Sequence, residues 1–235
     1  MECFELVPGK VKVCFYGGEF DHSTHLYNAP EETARNLDAV SRYHGVKTVR
    51  IAKQVHGGTT VPVEWDDAQI RPEADGLYTW HKGMGLGVLT ADCVPVLVTS
   101  ASGDLIGVAH CGWRGVIHGI IPSVLHAMSV FTDDELVAAI GPSIQQASYE
   151  VGQEVREAFL RHNMELETCF EARDGKYGLD LPGCVELELA KYDVPVVMRH
   201  ENDTYADTDR YFSHRRGCKE GRNEQRRMLS VVSML

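Results

Sequence analysis

Two apolar runs, each meeting a residue with metal-binding and nucleophilic chemistry, constrain this chain most. Gly87-Val88-Leu89-Thr90-Ala91-Asp92-Cys93-Val94-Pro95-Val96-Leu97-Val98 is interrupted at Cys93. Gly107-Val108-Ala109-His110-Cys111-Gly112-Trp113-Arg114-Gly115 reaches His110 at the end of its apolar part. Both read as strands. A third piece, Gln54-Val55-His56-Gly57, follows the β-like run from Val46 to Ala52. Strands that stop at reactive side chains form a rigid floor under a site. His56, Cys93 and His110 are therefore expected to meet.

The rest of the chain alternates strands with helices. Val11 to Tyr16 reads as a strand entering a tight turn at Gly17-Gly18, with a polar loop over 19–29. A helix is expected from Pro30 to about His44, with Pro and acids in its first turn and Gly45 at its end. Thr59 to Val63 is a short strand, 64–74 a polar loop, and another strand starts at Ala74. Gly85 to Thr90, Val94 to Thr99 and Leu105 to His110 follow as strands. Val116, Ile117, Ile120, Ile121, Val124, Leu125 and Met128 repeat at helical spacing, predicting one helix from about Arg114 to Phe131, kinked at Pro122. Glu135 to Ile140, Val194 to Met198 and Met228 to Met234 read as strands. Gly152 to about His162 and Gly183 to Lys191 read as helices. No repeat or linker divides residues 1–235. The expected class is α/β, with α+β as its variant, in one domain.

Composition removes several classes of function. The chain has 235 residues, 43% of them hydrophobic, and a formal net charge of −11. That balance argues against a nucleic-acid partner, which normally meets a basic face. No apolar run approaches the roughly 18 residues of a membrane helix. Met1-Glu2-Cys3-Phe4-Glu5 lacks a basic region followed by an apolar one, so no signal peptide is expected. The seven cysteines form no CxxC pair, which predicts reduced thiols in a cytoplasmic protein rather than a disulfide frame.

His56, Cys93 and His110 offer two nitrogens and one sulfur, the donor set of a catalytic zinc site that keeps one position open. Their wide separation resembles no zinc-finger spacing, and a buried core thiol flanked by satisfied histidines explains the same residues equally well. Cys93 as a nucleophile activated by His56 or His110 is a further reading. Arg114 stands at a helix start directly after His110, a place suited to a small anion. Tyr149 and Glu150 follow the strand-to-loop passage Gly141-Pro142-Ser143-Ile144 and are candidates for ligand contact. Arg215 and Arg216, after Tyr211-Phe212-Ser213-His214, either hold an anion or cover the surface. The basic run from Arg215 to Arg227 reads as a solvated loop.

Taken together, Gln54-Val55-His56-Gly57, Ala74-Asp75-Gly76, Leu89-Thr90-Ala91-Asp92-Cys93-Val94-Pro95-Val96, Ala109-His110-Cys111-Gly112-Trp113-Arg114-Gly115, Ile140-Gly141-Pro142-Ser143-Ile144 and Tyr149-Glu150-Val151-Gly152 resemble the successive motifs of the YfiH family. That family is also called the laccase-domain or multicopper polyphenol oxidase family. The resemblance runs from about residue 11 to nearly the end of the chain. It implies mixed sheets flanked by helices and a zinc held by His56, Cys93 and His110. It also implies phosphorolysis of adenosine, inosine, guanosine and methylthioadenosine, and deamination of adenosine. The partners would be a purine nucleoside and phosphate, the latter expected at Arg114 with Arg215 or Arg216. Three departures stand out. Phe15-Tyr16-Gly17-Gly18 lacks the family's usual arginine, Asp203-Thr204-Tyr205 replaces a cysteine-containing motif, and Cys111 stands where alanine is commoner.

Two other activities fit these residues. The older family name implies a copper-binding polyphenol oxidase, and copper outcompetes zinc for many donor sets. Multicopper oxidases use several His-x-His pairs, and the eleven histidines here form none. The other is a cysteine amidase acting on peptidoglycan precursors, with Cys93 as nucleophile. Asp92 and Glu150 are the candidates for a general acid.

Overall fold

A computed structural model of the chain describes residues 1–18, 30–65 and 71–235. The loop expected over 19–29 and residues 66–70 of the loop expected over 64–74 lie outside the described residues. Fourteen strands and six α-helices are described, with a 3-10 helix over Met164–Cys169. In chain order the strands are β1 Glu2–Val7, β2 Val11–Tyr16, β3 Thr48–Ile51, β4 Thr60–Pro62, β5 Gly76–Thr79, β6 Met84–Thr90, β7 Val94–Ser100, β8 Ile106–Cys111, β9 Leu136–Ile140, β10 Glu150–Val151, β11 Phe170–Arg173, β12 Lys176–Leu179, β13 Val196–Arg199 and β14 Met228–Met234. The helices are α1 Pro30–His44, α2 Trp113–Ile117, α3 Ile120–Ser129, α4 Gln153–His162, α5 Leu181–Ala190 and α6 His214–Lys219.

A five-stranded sheet runs β1-β2-β14-β6-β3 and a six-stranded sheet runs β13-β9-β7-β8-β5-β4. Both are mixed: β3–β6, β4–β5 and β9–β13 pair parallel, and the other pairs in these sheets are antiparallel. Strand alternation explains why the sequence runs are apolar throughout. On β2, Val11, Val13 and Phe15 enter one core while Cys14 and Tyr16 enter another. On β7, Val94, Val96 and Val98 face the helices while Leu97 faces the other sheet. Each central strand thus buries both faces. Four layers result: α1, the five-stranded sheet, the six-stranded sheet, and the layer of α3, α4 and α5. The fold is α/β, as expected.

The expected helix over 114–131 is two helices. Gly119 adopts φ 76°, a left-handed conformation that costs glycine little, and the chain turns there. Pro122 is the third residue of α3, where its missing N–H would have no partner within the helix. It therefore starts a helix rather than kinking one.

The expectation of reduced thiols throughout is also corrected. Cys3 and Cys14 lie opposite each other in the β1–β2 register and are joined by a disulfide. The remaining five cysteines are free. β1 was not expected as a strand, so its cross-strand partner was not visible.

His44 closes α1 against β14. It is buried, its Nδ1 lies 2.7 Å from Ser233 Oγ, and its Nε2 is buried with no partner among the described residues. Burial first, then the charge of Lys12, push its pKa down to about 4 from 6.5. The unfolded chain takes up this proton below pH 6.5, and the folded protein does so only near pH 4. Stability is therefore full above pH 6.5 and falls as pH drops toward 4, by about 2 kcal/mol at pH 5. Urea midpoints at pH 7 and pH 5 should show this loss, reduced in His44→Gln.

Candidate metal centre

The three expected donors converge. The ligating atoms of His56, Cys93 and His110 lie within 4.8 Å of one another. They come from three kinds of position. His56 sits in the loop after β3 with φ 60°, a left-handed conformation uncommon for a residue with a side chain. Cys93 lies where the chain steps from β6 in one sheet to β7 in the other. His110 is on β8 and is buried, whereas His56 is exposed.

Asp75 ties these positions together. Its carboxylate accepts from the backbone N–H groups of Val55 (3.1 Å), His56 (3.0 Å) and Gly57 (2.7 Å). It also lies 2.7 Å from His110 Nδ1, and its own carbonyl accepts the His110 N–H at 2.7 Å. One buried carboxylate thus shapes the His56 loop and orients the His110 ring. The Gln54 side chain fastens the same loop to β6, donating to Leu89 O at 2.7 Å and accepting from Leu89 N at 2.8 Å. Gly112 closes the space beside the donors. A Cβ there would stand 3.0 Å from His56 Cδ2 and 3.1 Å from Cys93 Sγ.

The electrostatics favour ionised groups. Burial raises the Asp75 pKa, but the hydrogen bonds from His110, Gly57 and Val55 outweigh it and the net shift is downward. Burial also raises the Cys93 thiol, yet His110 and His56 pull it down to about 6. His110 is raised in turn, against burial, by the Cys93 thiolate and Asp75. With ionised Asp75 on Nδ1, His110 donates there and turns Nε2 toward Cys93. The sequence assigns Asp75 no role beyond its place in the Ala74-Asp75-Gly76 motif. A buried Asp between two strand signals carries no mark of the loop it wraps.

The other expected site residues separate into two groups. Tyr149 and Arg215 lie by the centre: the Arg215 guanidinium stands 5.0 Å from the Tyr149 ring centroid. Burial raises the Tyr149 hydroxyl pKa, and the Cys93 charge adds to this while Arg215 and Arg114 oppose it. Arg114 is exposed and stacks on Trp113 at 4.3 Å. Glu150 and Arg216 are engaged elsewhere. The Glu150 carboxylate pairs with Lys176 at 2.5 Å, while its carbonyl accepts from Arg215 Nη1 at 2.6 Å. Arg216 spends its guanidinium on the carbonyls of Thr204, Tyr205 and Tyr211. Asp92, the other acid considered, has φ 93° and accepts from Thr204 Oγ1 (2.8 Å) and Arg215 N (2.7 Å). These contacts anchor α6.

The segment from Arg215 is only partly the loop expected. Ser213 caps α6 by accepting from Arg216 N at 3.1 Å, and Glu220 and Glu224 pair with Arg222 and Arg226 further on. α6 brings His214 to a cavity of about 290 Å³ whose wall also carries Gln54, His56, Cys93, His110 and Arg227. His214 and Arg227 were not among the residues expected at the site.

A four-layer α/β chain whose His56, Cys93 and His110 donors converge beside the β6-to-β7 step has the arrangement of an enzyme with a candidate metal site. By sequence the chain belongs to the family described as multi-copper polyphenol oxidoreductase laccase, whose profile matches residues 9–234. A Rickettsia conorii relative named purine nucleoside phosphorylase is 34% identical over 97% of this chain and 98% of its own length. The Escherichia coli relative named purine nucleoside phosphorylase YfiH is 32% identical over 72% of this chain and 69% of its own. A crystal structure of a Neisseria meningitidis protein superposes with a TM-score of 0.82 at 28% identity, covering 97% of this chain and 96% of that one. A Bacillus licheniformis YfiH structure has the same fold, at TM-score 0.83 and 24% identity. No helix among the described residues is long and apolar enough to cross a membrane.

Proposed function

We propose that this chain is a zinc-dependent purine nucleoside phosphorylase that also deaminates adenosine. The observation that carries the reading is the His56, Cys93 and His110 cluster on the wall of a 290 Å³ cavity. It is supported by near full-length similarity to a relative named for that activity. The donors fit the ion. Two imidazoles and a thiolate suit zinc and leave one position open, and Asp75 on the far nitrogen of His110 is the usual outer support of such a ligand. The ion, when bound, supplies Lewis acidity at the cavity wall.

The chain's own residues do the rest. Arg215 and Arg114 supply positive charge for phosphate, with Arg215 held by Asp92 and the Glu150 carbonyl. Tyr149 offers an aromatic face beside Arg215. The volume lies near the lower end of small-ligand pockets, about 300–1,000 Å³.

Elemental analysis should find one zinc per chain. Inosine or adenosine should be cleaved only when phosphate is present, with activity lost on chelation and restored by zinc. Phenol oxidation at comparable turnover with stoichiometric copper would overturn the reading.

A second reading has its own support. Cys93, His110 and Asp75 form a chain of thiolate, imidazole and carboxylate, the arrangement of a nucleophile, its base and an orienting acid. Amide hydrolysis by metal-free protein, lost in Cys93→Ala, would favour that reading over the first.

A further inference from the structure

We infer that His214 is the proton donor to the departing purine base, an inference that rests on the phosphorylase reading. The cavity wall carries five residues with proton-transfer or cationic side chains besides Gln54: His56, Cys93 and His110 in pairwise reach of one ion, then His214 and Arg227. His56, Cys93 and His110 are committed as donors. Arg227 keeps its proton at any working pH. His214 alone combines access to the cavity, freedom from the donor set and a proton it can give up.

Its placement is fixed by contacts that do not consume the ring. Asp92 Oδ2 accepts the N–H of the next residue, Arg215, at 2.7 Å, and Ser213 Oγ caps the same turn. Asp92 is itself adjacent to Cys93, so one side chain sets the distance between the donor cluster and α6. The His214 Nε2 lies 3.4 Å from Cys218 Sγ, one helical turn on. That contact occupies one ring nitrogen and leaves Nδ1 as the atom with a proton to transfer. His214 is exposed, so solvent can reprotonate it.

The step balances. A phosphate oxygen forms a bond to the ribose C1′ as the C1′–N9 bond breaks, and that electron pair enters the purine. The imidazolium Nδ1 proton passes to purine N7, so the base leaves neutral. The proton remaining on the new sugar phosphate returns to the ring through water.

A 7-methylated nucleoside tests this directly, because its purine already carries a positive charge and needs no proton to leave. His214→Gln should lose about 100-fold or more in phosphorolysis of inosine, the range of a lost general acid. It should cleave 7-methylinosine at nearly the rate of the unaltered protein, which also shows that the variant is folded and loaded. Equal loss on both substrates would overturn the inference and make His214 a positioning residue. No loss on either would overturn it too. An unaltered protein inert toward both nucleosides with phosphate present would instead sink the phosphorylase reading, and this inference with it.

Discussion

If the chain holds zinc as proposed, Asp75→Ala is expected to weaken its binding by about 10- to 100-fold, the usual effect of losing a carboxylate behind a ligating histidine. The same change removes the acceptor of three backbone N–H groups, those of Val55, His56 and Gly57. A buried group left unsatisfied costs about 1–3 kcal/mol and these half-buried N–H groups less; their loss and that of His110 Nδ1 share one site and do not add. A total of about 3–5 kcal/mol is expected, as for breaking a buried charged pair. Asp75→Asn keeps one acceptor oxygen and should cost less stability. Its neutral amide holds His110 Nδ1 less firmly, so the loss of zinc affinity should persist. Chelator competition and urea unfolding measure the two effects separately. Unchanged affinity in both variants would mean that the His110 ring is held by packing alone.

Gly58→Ala is expected to be the most damaging single methyl near the site. A Cβ at Gly58 would stand 2.1 Å from the His118 carbonyl oxygen and 2.9 Å from its carbon. Both are backbone atoms at the end of α2, and neither can rotate away. Either the His56 loop or the α2–α3 junction must shift, at about 3 kcal/mol, the upper part of the range for overpacking. Displacing the loop moves His56, so zinc affinity should fall as well. Gly57→Ala is the control. Its Cβ would meet Asp75 Oδ2 at 3.6 Å and Val55 Cγ2 at 3.7 Å, ordinary contact distances. Thermal melts with and without zinc should separate the neighbours sharply. Comparable stability in the two variants would show that the junction yields.

The strands that carry the site were legible because apolar runs and their interruptions are local signals. Met228–Met234 and Val11–Tyr16 stand where expected, and α1 spans Pro30–His44. What was missed depends on distant partners. β1 is a strand because Cys3 and Phe4 meet Cys14 and Val13. The small sheet of β10, β12 and β11 was overlooked although Asp174-Gly175, at φ 27° and 80°, is a hairpin dipeptide between Arg173 and Lys176. The break at Gly119 hid inside a helical repeat that continues across it in composition but not in space. At the site, the three donors stood out by residue type. Asp75 and His214 did not, because a carboxylate's three backbone partners and a histidine's place on a cavity wall exist only in the fold.

The position of β14 sets the order in which the molecule can be completed. It lies between β2 and β6, filling the middle of the five-stranded sheet. A chain emerging during synthesis therefore carries two unpaired strand edges until Met228–Met234 arrives. Leu229 pairs with Leu89, the residue that Gln54 grips to hold the His56 loop. A nascent chain that has already made His56, Cys93 and His110 still lacks the frame that aligns them. In the proposed zinc enzyme, loading with metal would thus report that folding has finished, and a product cut short before β14 is expected to keep all three ligands yet bind the ion weakly.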